Sequence, residues 1–156
     1  MKVKFLLFFA CLCSFMGAWA QDFGLSLNIS TANQATIDYD AASGIYTITT
    51  TGEDPFVSIN ALTSALPDDQ CVLTFDYQCA PATTGGLQIF FSPTYSEARS
   101  IKCADLANTS EWATFSKEMK NTISNLGWGA AKSVMRIDWG GRSGVTIKVK
   151  NLRFRE

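Results

Sequence analysis

The chain contains no histidine. That removes the commonest general base, metal ligand and pH switch together. Ser-His-Asp and Cys-His catalysis and the H-E-x-x-H zinc site go with it. No C-x-x-C pair is present either, so a thiolate zinc site lacks its usual spacing. Basic charge is not in excess: 13 Lys and Arg stand against 14 Asp and Glu. Without a clustered basic stripe, nucleic acid is excluded as an expected partner. Beyond the first twenty residues no apolar run approaches the ~20 residues of a membrane-spanning helix, so no transmembrane segment is expected. Paired carboxylates are the one catalytic device these absences leave open. A glycosidase needs two at a set separation. The acids Glu53, Asp54, Asp76, Glu97, Asp105, Glu111 and Asp138 are scattered through the sequence with no pattern that pairs them. The expectation is a protein that is not an enzyme.

What is present begins with a leader. Lys2 and Lys4 precede an apolar run from Phe5 to Phe15, and Ala18-Trp19-Ala20 has the A-x-A form of a cleavage site. The reading is a secretory signal peptide over 1–20 and one domain over 21–156, secreted to the periplasm or the cell surface. A lipoprotein signal using Cys11 or Cys13 is the rival, with Phe8-Phe9-Ala10 a poor lipobox before Cys11. Removing the leader takes Lys2 and Lys4 and no acid, leaving 11 basic against 14 acidic residues, a balance of −3. The remaining ~136 residues can bury a core of their own. Cys71, Cys79 and Cys103 remain after cleavage, an odd number, so at least one thiol is unpaired. Cys71 and Cys79 bracket "CVLTFDYQC", which as a strand holds them about 26 Å apart at ~3.3 Å per residue. A disulfide spans less than about 7 Å between Cα atoms, so these two cannot pair with each other. Buried thiols are one reading and a bridge from Cys103 to either is the other.

Period-two alternation recurs between turn signals. "ATIDYD" (35–40) and "IYTITT" (45–50) flank Ala41-Ala42-Ser43-Gly44 as a hairpin. "PFVSIN", "CVLTFDYQC", "GLQIFF", "ARSIKC" and "EWATFSKEM" follow as strands, and 133–139 with 145–154 form a closing pair around the turn 140–144. Only 116–126 carries a helical tendency, ended by Gly127 and Gly129. Roughly nine short strands rich in Thr, Val, Ile and Phe predict an all-β fold, an antiparallel β-sandwich of the jelly-roll kind. In the last strand the apolar parity slips at Lys150-Asn151, the mark of a β-bulge. Its Lys residues read as the solvated face of an edge or open sheet. Trp139 shares parity with Met135 and Ile137 and is expected in the core. Trp112 is expected to pack as a lid on the sandwich, and Arg136 and Asp138 to form a same-face ion pair.

"YTITTTGEDPFVSI", "LTFDYQ", "LQIFFSP", "EWATFS" and "VMRIDWG…GVTIKVKNLRFR", in this order, resemble the galactose-binding-domain-like jelly rolls. These carbohydrate-binding-module-like domains are common in secreted proteins of Bacteroidetes. The resemblance covers Ile45 to Arg155 and lies in strand cores and turns. It implies a non-catalytic module that binds a poly- or oligosaccharide through end loops. The alternative is a structural or protein-interaction sandwich without glycan affinity, and a glycosidase comes third. Sugars stack on flat aromatics while planar polar groups hold their hydroxyls. The loop residues that fit are Tyr95 and Trp128, with Glu97, Arg99 and Arg142 as polar partners. A structural Ca²⁺ accompanies many resembling modules, and Glu53-Asp54 before Pro55 are the acids placed for one. No other cofactor is expected.

Overall fold

The computed structural model describes residues 23–62, 66, 67, 69–91, 94–120 and 135–156. Within them the chain forms eleven strands: β1 (Phe23–Gly24), β2 (Leu27–Asn33), β3 (Ala35–Asp40), β4 (Ile45–Thr50), β5 (Phe56–Ile59), β6 (Val72–Ala80), β7 (Gln88–Phe91), β8 (Ser100–Lys102), β9 (Thr109–Glu118), β10 (Met135–Asp138) and β11 (Thr146–Arg155). A 3-10 turn, Glu97–Arg99, precedes β8. The strands build two antiparallel sheets. One is six-stranded, in the order β3-β4-β11-β6-β9 with β1 added to β11; the other is five-stranded, in the order β2-β5-β10-β7-β8.

Alternation decides which side chains lie between the sheets. Ile48, Leu73, Phe75, Ile147, Val149 and Phe154 point inward from the six-stranded sheet, and Val57, Ile89, Phe91, Ile101, Met135 and Ile137 from the other. Trp139 follows β10 into this core, 1 % exposed, with Phe75 meeting it edge-on at 5.9 Å between centroids. The expected hairpin forms with the expected boundaries. Asp40 closes it by accepting hydrogen bonds from the Ala42 N–H (2.9 Å) and the Ser43 hydroxyl (2.6 Å), and Gly44 takes φ +68°.

The bulge also forms where parity slips. Pairing between β11 and β6 shifts between Lys150 and Arg153, and Asn151 adopts φ +54°. The bulge divides the labour of β11: residues before it pair with β4, and Arg153 and Phe154 beyond it pair with β1.

Several expectations need correction. The strands read as a closing pair do not pair: β10 lies in the five-stranded sheet and β11 in the six-stranded one. The turn between them is a crossover. Gly140, at φ +99°, permits it, since a Cβ there would lie 2.8 Å from the Thr84 carbonyl oxygen. Thr50, 2 % exposed, pins its far side: its hydroxyl donates to the Arg142 carbonyl (2.7 Å) and accepts from the Val145 N–H (2.9 Å). β11 is therefore a central strand, not an edge, and its lysines lie on the outer face of the six-stranded sheet. Ser116–Glu118 continue β9 and are not helical, while 121–126 lie outside the described residues. Trp112 is no lid on the core; it points outward from β9, 37 % exposed, with the Lys150 ammonium 3.9 Å from its ring centroid. Strands β1 and β2 were not anticipated, because "LNISTAN" buries only Leu27 fully and so shows no alternation. Cys71, Cys79 and Cys103 are all free thiols, so the Cys103 bridge does not form.

Candidate functional site

Outward positions of the five-stranded sheet ought to be polar, and two are not. Phe56 and Phe90 stand on the solvent parity of β5 and β7, next to inward Val57 and Ile89. Between them, on β10, Arg136 pairs across the sheet with Ser58 on one side and Phe90 on the other. Its guanidinium carbon lies 3.9 Å from the Phe56 ring centroid, 4.7 Å from that of Phe90 and 5.6 Å from that of Tyr95. These are cation–π distances.

The predicted Arg136–Asp138 ion pair is present and bidentate. Arg136 Nε donates to Asp138 Oδ1 at 2.7 Å and Nη2 to Oδ2 at 2.6 Å. The pair is sunk into the face, its side chains 18 % and 13 % exposed. Burial pushes the Asp138 carboxyl above the usual carboxylate range, outweighing the Arg136 hydrogen bonds that pull it down; Asp54 and Glu97 add to the rise. Of the five guanidinium N–H groups two are engaged by Asp138, which leaves three for another acceptor.

A polar rim continues toward β8. Gln88 Nε2 donates to Glu97 Oε2 (3.1 Å) and to Ser100 Oγ (2.8 Å). Lys102 Nζ lies 3.1 Å from the same Glu97 oxygen. The Lys102 bond, then that of Gln88, holds the Glu97 carboxyl below its usual range. The cations here are paired, Arg136 with Asp138 and Lys102 with Glu97, and Asp54 lies close enough to act on Asp138.

Of the residues named from sequence, Tyr95 and Glu97 come to this patch, Tyr95 40 % exposed. Arg99 ends the 3-10 turn and is half-buried. Arg142 sits exposed in the crossover at the end of the sandwich, and among the described residues no contact joins its side chain to the patch. Trp128 lies outside the described residues. Glu53 and Asp54 are not joined by a third ligand: among the described residues no group of three or more Cys, Asp or Glu could hold a metal ion. Phe56, Gln88, Phe90 and Lys102 were missed. A signal existed for the phenylalanines, since "QIFF" breaks alternation with a third consecutive apolar residue and "PFVSIN" carries Phe56 on the parity of the polar Ser58.

No family model matches the chain, and neither does any curated protein. Solved structures do. The chain is similar to a family 29 carbohydrate-binding module at 16% identity, covering 85% of this chain and 78% of that one, with a TM-score of 0.56. The fold is shared with carbohydrate-binding modules. Variants of such a module solved with cellulohexaose and with mannohexaose match as well, each at 16% identity over 85% of this chain and 81% or 80% of theirs, with TM-scores of 0.55. Other solved variants, described as probing its ligand recognition, replace an arginine and an aspartate two positions further on with alanine.

Proposed function

We propose that this protein is an exported, non-catalytic domain that binds an uncharged glycan over the outer face of its five-stranded sheet. The observation that carries the reading is the Arg136 guanidinium, fixed by Asp138 and stacked on Phe56 and Phe90 beside the exposed ring of Tyr95. A ring of this kind takes the apolar face of a pyranose, and the remaining guanidinium N–H groups, with Gln88, Glu97 and Lys102, meet its hydroxyls. Because Arg136 and Lys102 each already have a carboxylate partner, neither requires an anionic ligand. Arg136 and Asp138 also repeat the residue types and the two-residue spacing of the substitutions made in the family 29 module to probe ligand recognition.

Titration with cello- and manno-oligosaccharides tests the proposal. Tyr95→Ala removes an exposed side chain, so it should leave the melting temperature nearly unchanged. It should weaken binding by about 1 kcal/mol, five- to tenfold in Kd. Absence of binding to any neutral glycan by the folded protein would sink the reading and leave an interaction domain in its place. Trp128→Ala and Arg142→Ala, in the same titrations, test the loop contacts read from the sequence.

A further inference from the structure

The opposite face of the sandwich carries a pocket. Pairing between β6 and β9 shifts between Tyr77 and Cys79, so that β9 spends more residues than β6 between Ala113 and Thr109. This bulge opens a hollow of about 180 Å³ on the outside of the six-stranded sheet, lined by Gln78, Ala80, Thr109, Ser110, Thr146 and Lys148. A cavity of about 150 Å³ accepts benzene, so the hollow has the scale of one six-membered ring rather than of a chain. Its walls are largely the methyl and methylene groups of Ala80, the threonines and the stems of Gln78 and Lys148. Gln78 is held in place by its Nε2 donating to the Ser110 carbonyl oxygen at 2.6 Å, which leaves its own side-chain oxygen free to accept.

The charge of this pocket differs from that of the five-stranded face. Along β11 the next outward cation, Lys150, lies over the Trp112 ring. The nearest outward carboxylate on β6, Asp76, is engaged by Asn151 (2.7 Å) and Thr114 (2.9 Å). Lys148, exposed at the pocket wall, has no carboxylate partner among the described residues. We infer that this hollow binds the terminal uronic acid residue of a glycan, with the pyranose ring in the pocket, its carboxylate on Lys148 and its hydroxyls on Thr146 and Gln78. An unpaired ammonium beside a ring-sized, mostly apolar pocket with hydroxyl-bearing walls is the complement of that one group. The inference does not depend on the glycan-binding reading of the opposite face.

Glucuronic acid, titrated into the isotope-labelled full chain and followed by amide NMR, is the test. Saturable shifts should gather at Gln78, Ala80, Thr109, Ser110, Thr146 and Lys148. They should weaken with added salt, since the carboxylate contact is exposed to screening. Methyl glucoside, which lacks the carboxylate, should bind more weakly. Lys148→Gln should weaken glucuronate about two- to fivefold, the scale of one solvent-exposed ion pair. Ala80→Leu, at an exposed strand position, should fill the pocket and abolish the shifts while the rest of the spectrum shows the fold intact. A chain-end ligand requires a uronate-terminated disaccharide to bind at least as well as the free acid. No saturable shift at these residues, equal binding of methyl glucoside, or an unchanged Lys148→Gln variant would each overturn the inference. So would a disaccharide that binds markedly less well than the free acid.

Discussion

Trp139 and the Arg136–Asp138 pair show what single residues carry here. Trp139 is enclosed by the core, and its indole Nε1 has no hydrogen-bond partner among the described residues. Trp139→Ala should therefore cost about 3–5 kcal/mol in a denaturant titration. Trp139→Phe should cost clearly less, since it keeps much of the ring and removes an unsatisfied donor worth about 1–3 kcal/mol when buried. Equal losses for the two variants would contradict the packing described. Asp138 makes a prediction in pH. Its native carboxyl is raised by burial, so the folded chain holds this proton to higher pH than the unfolded chain. Ionisation through the window between the two values costs stability, and acidification back through it recovers that cost. Carboxyl-carbon NMR should show Asp138 ionising above Asp40, Asp76 and Glu97, each of which hydrogen bonding holds low. The pairing of Arg136 and Asp138 was legible in the sequence as two residues on one face. Their enclosure by Phe56, Phe90 and Tyr95 was not, because those rings arrive from β5, β7 and the segment before β8.

At the scale of an element, β11 is the informative strand. Its bulge was visible as a slip in apolar parity, and the left-handed residue at the slip is an asparagine, which tolerates that conformation better than most. Asn151→Val should cost on the order of 1–3 kcal/mol, because a β-branched side chain is strained at positive φ. Asn151→Gly should be far milder, although it forfeits the bond to Asp76. That bond, first among its causes, holds the Asp76 carboxyl below its usual range, with Thr114, Lys150 and Arg153 contributing further. A depressed native value contributes stability above the unfolded pKa, and the contribution is lost as pH falls through the folded value. The acid limb of the stability profile should accordingly be shallower in Asn151→Gly than in the parent, with the Asp76 titration shifted upward. What β11 pairs with was hidden. Alternation specifies a face for each side chain but names no neighbour, and β4, β6 and β1 are all distant in sequence.

For the whole molecule the thiols give a direct check. Cys71, Cys79 and Cys103 are free, and burial first of all pushes each thiol above its usual range. The denatured chain without its leader should present three thiols to a disulfide reagent, and the native protein should react much more slowly, since the thiolate is the reactive form. Rapid reaction of all three in the native state would mean that the two sheets are not closed over Cys79. Long-range order also explains why the outward faces differ. The five-stranded sheet presents paired charges around aromatics, and the six-stranded sheet presents Lys148, without a carboxylate partner among the described residues, beside a hollow, though β10 and β11 are separated by only a short turn.

Composition and periodicity by themselves determined the class of this protein: strands with one apolar face, turns at Gly and Asp, a core Trp139 and a bulge near Asn151. Those properties are local, because a side chain's parity and a residue's preferred φ depend on its immediate neighbours in the chain. Tertiary structure alone decided that β10 and β11 part into different sheets, that Trp112 faces solvent, and that Arg136 is held among three aromatic rings. Each of these depends on which strands become neighbours, a matter of backbone hydrogen bonds that every residue can make with almost any other, proline as acceptor only, and that the sequence of side chains marks only weakly.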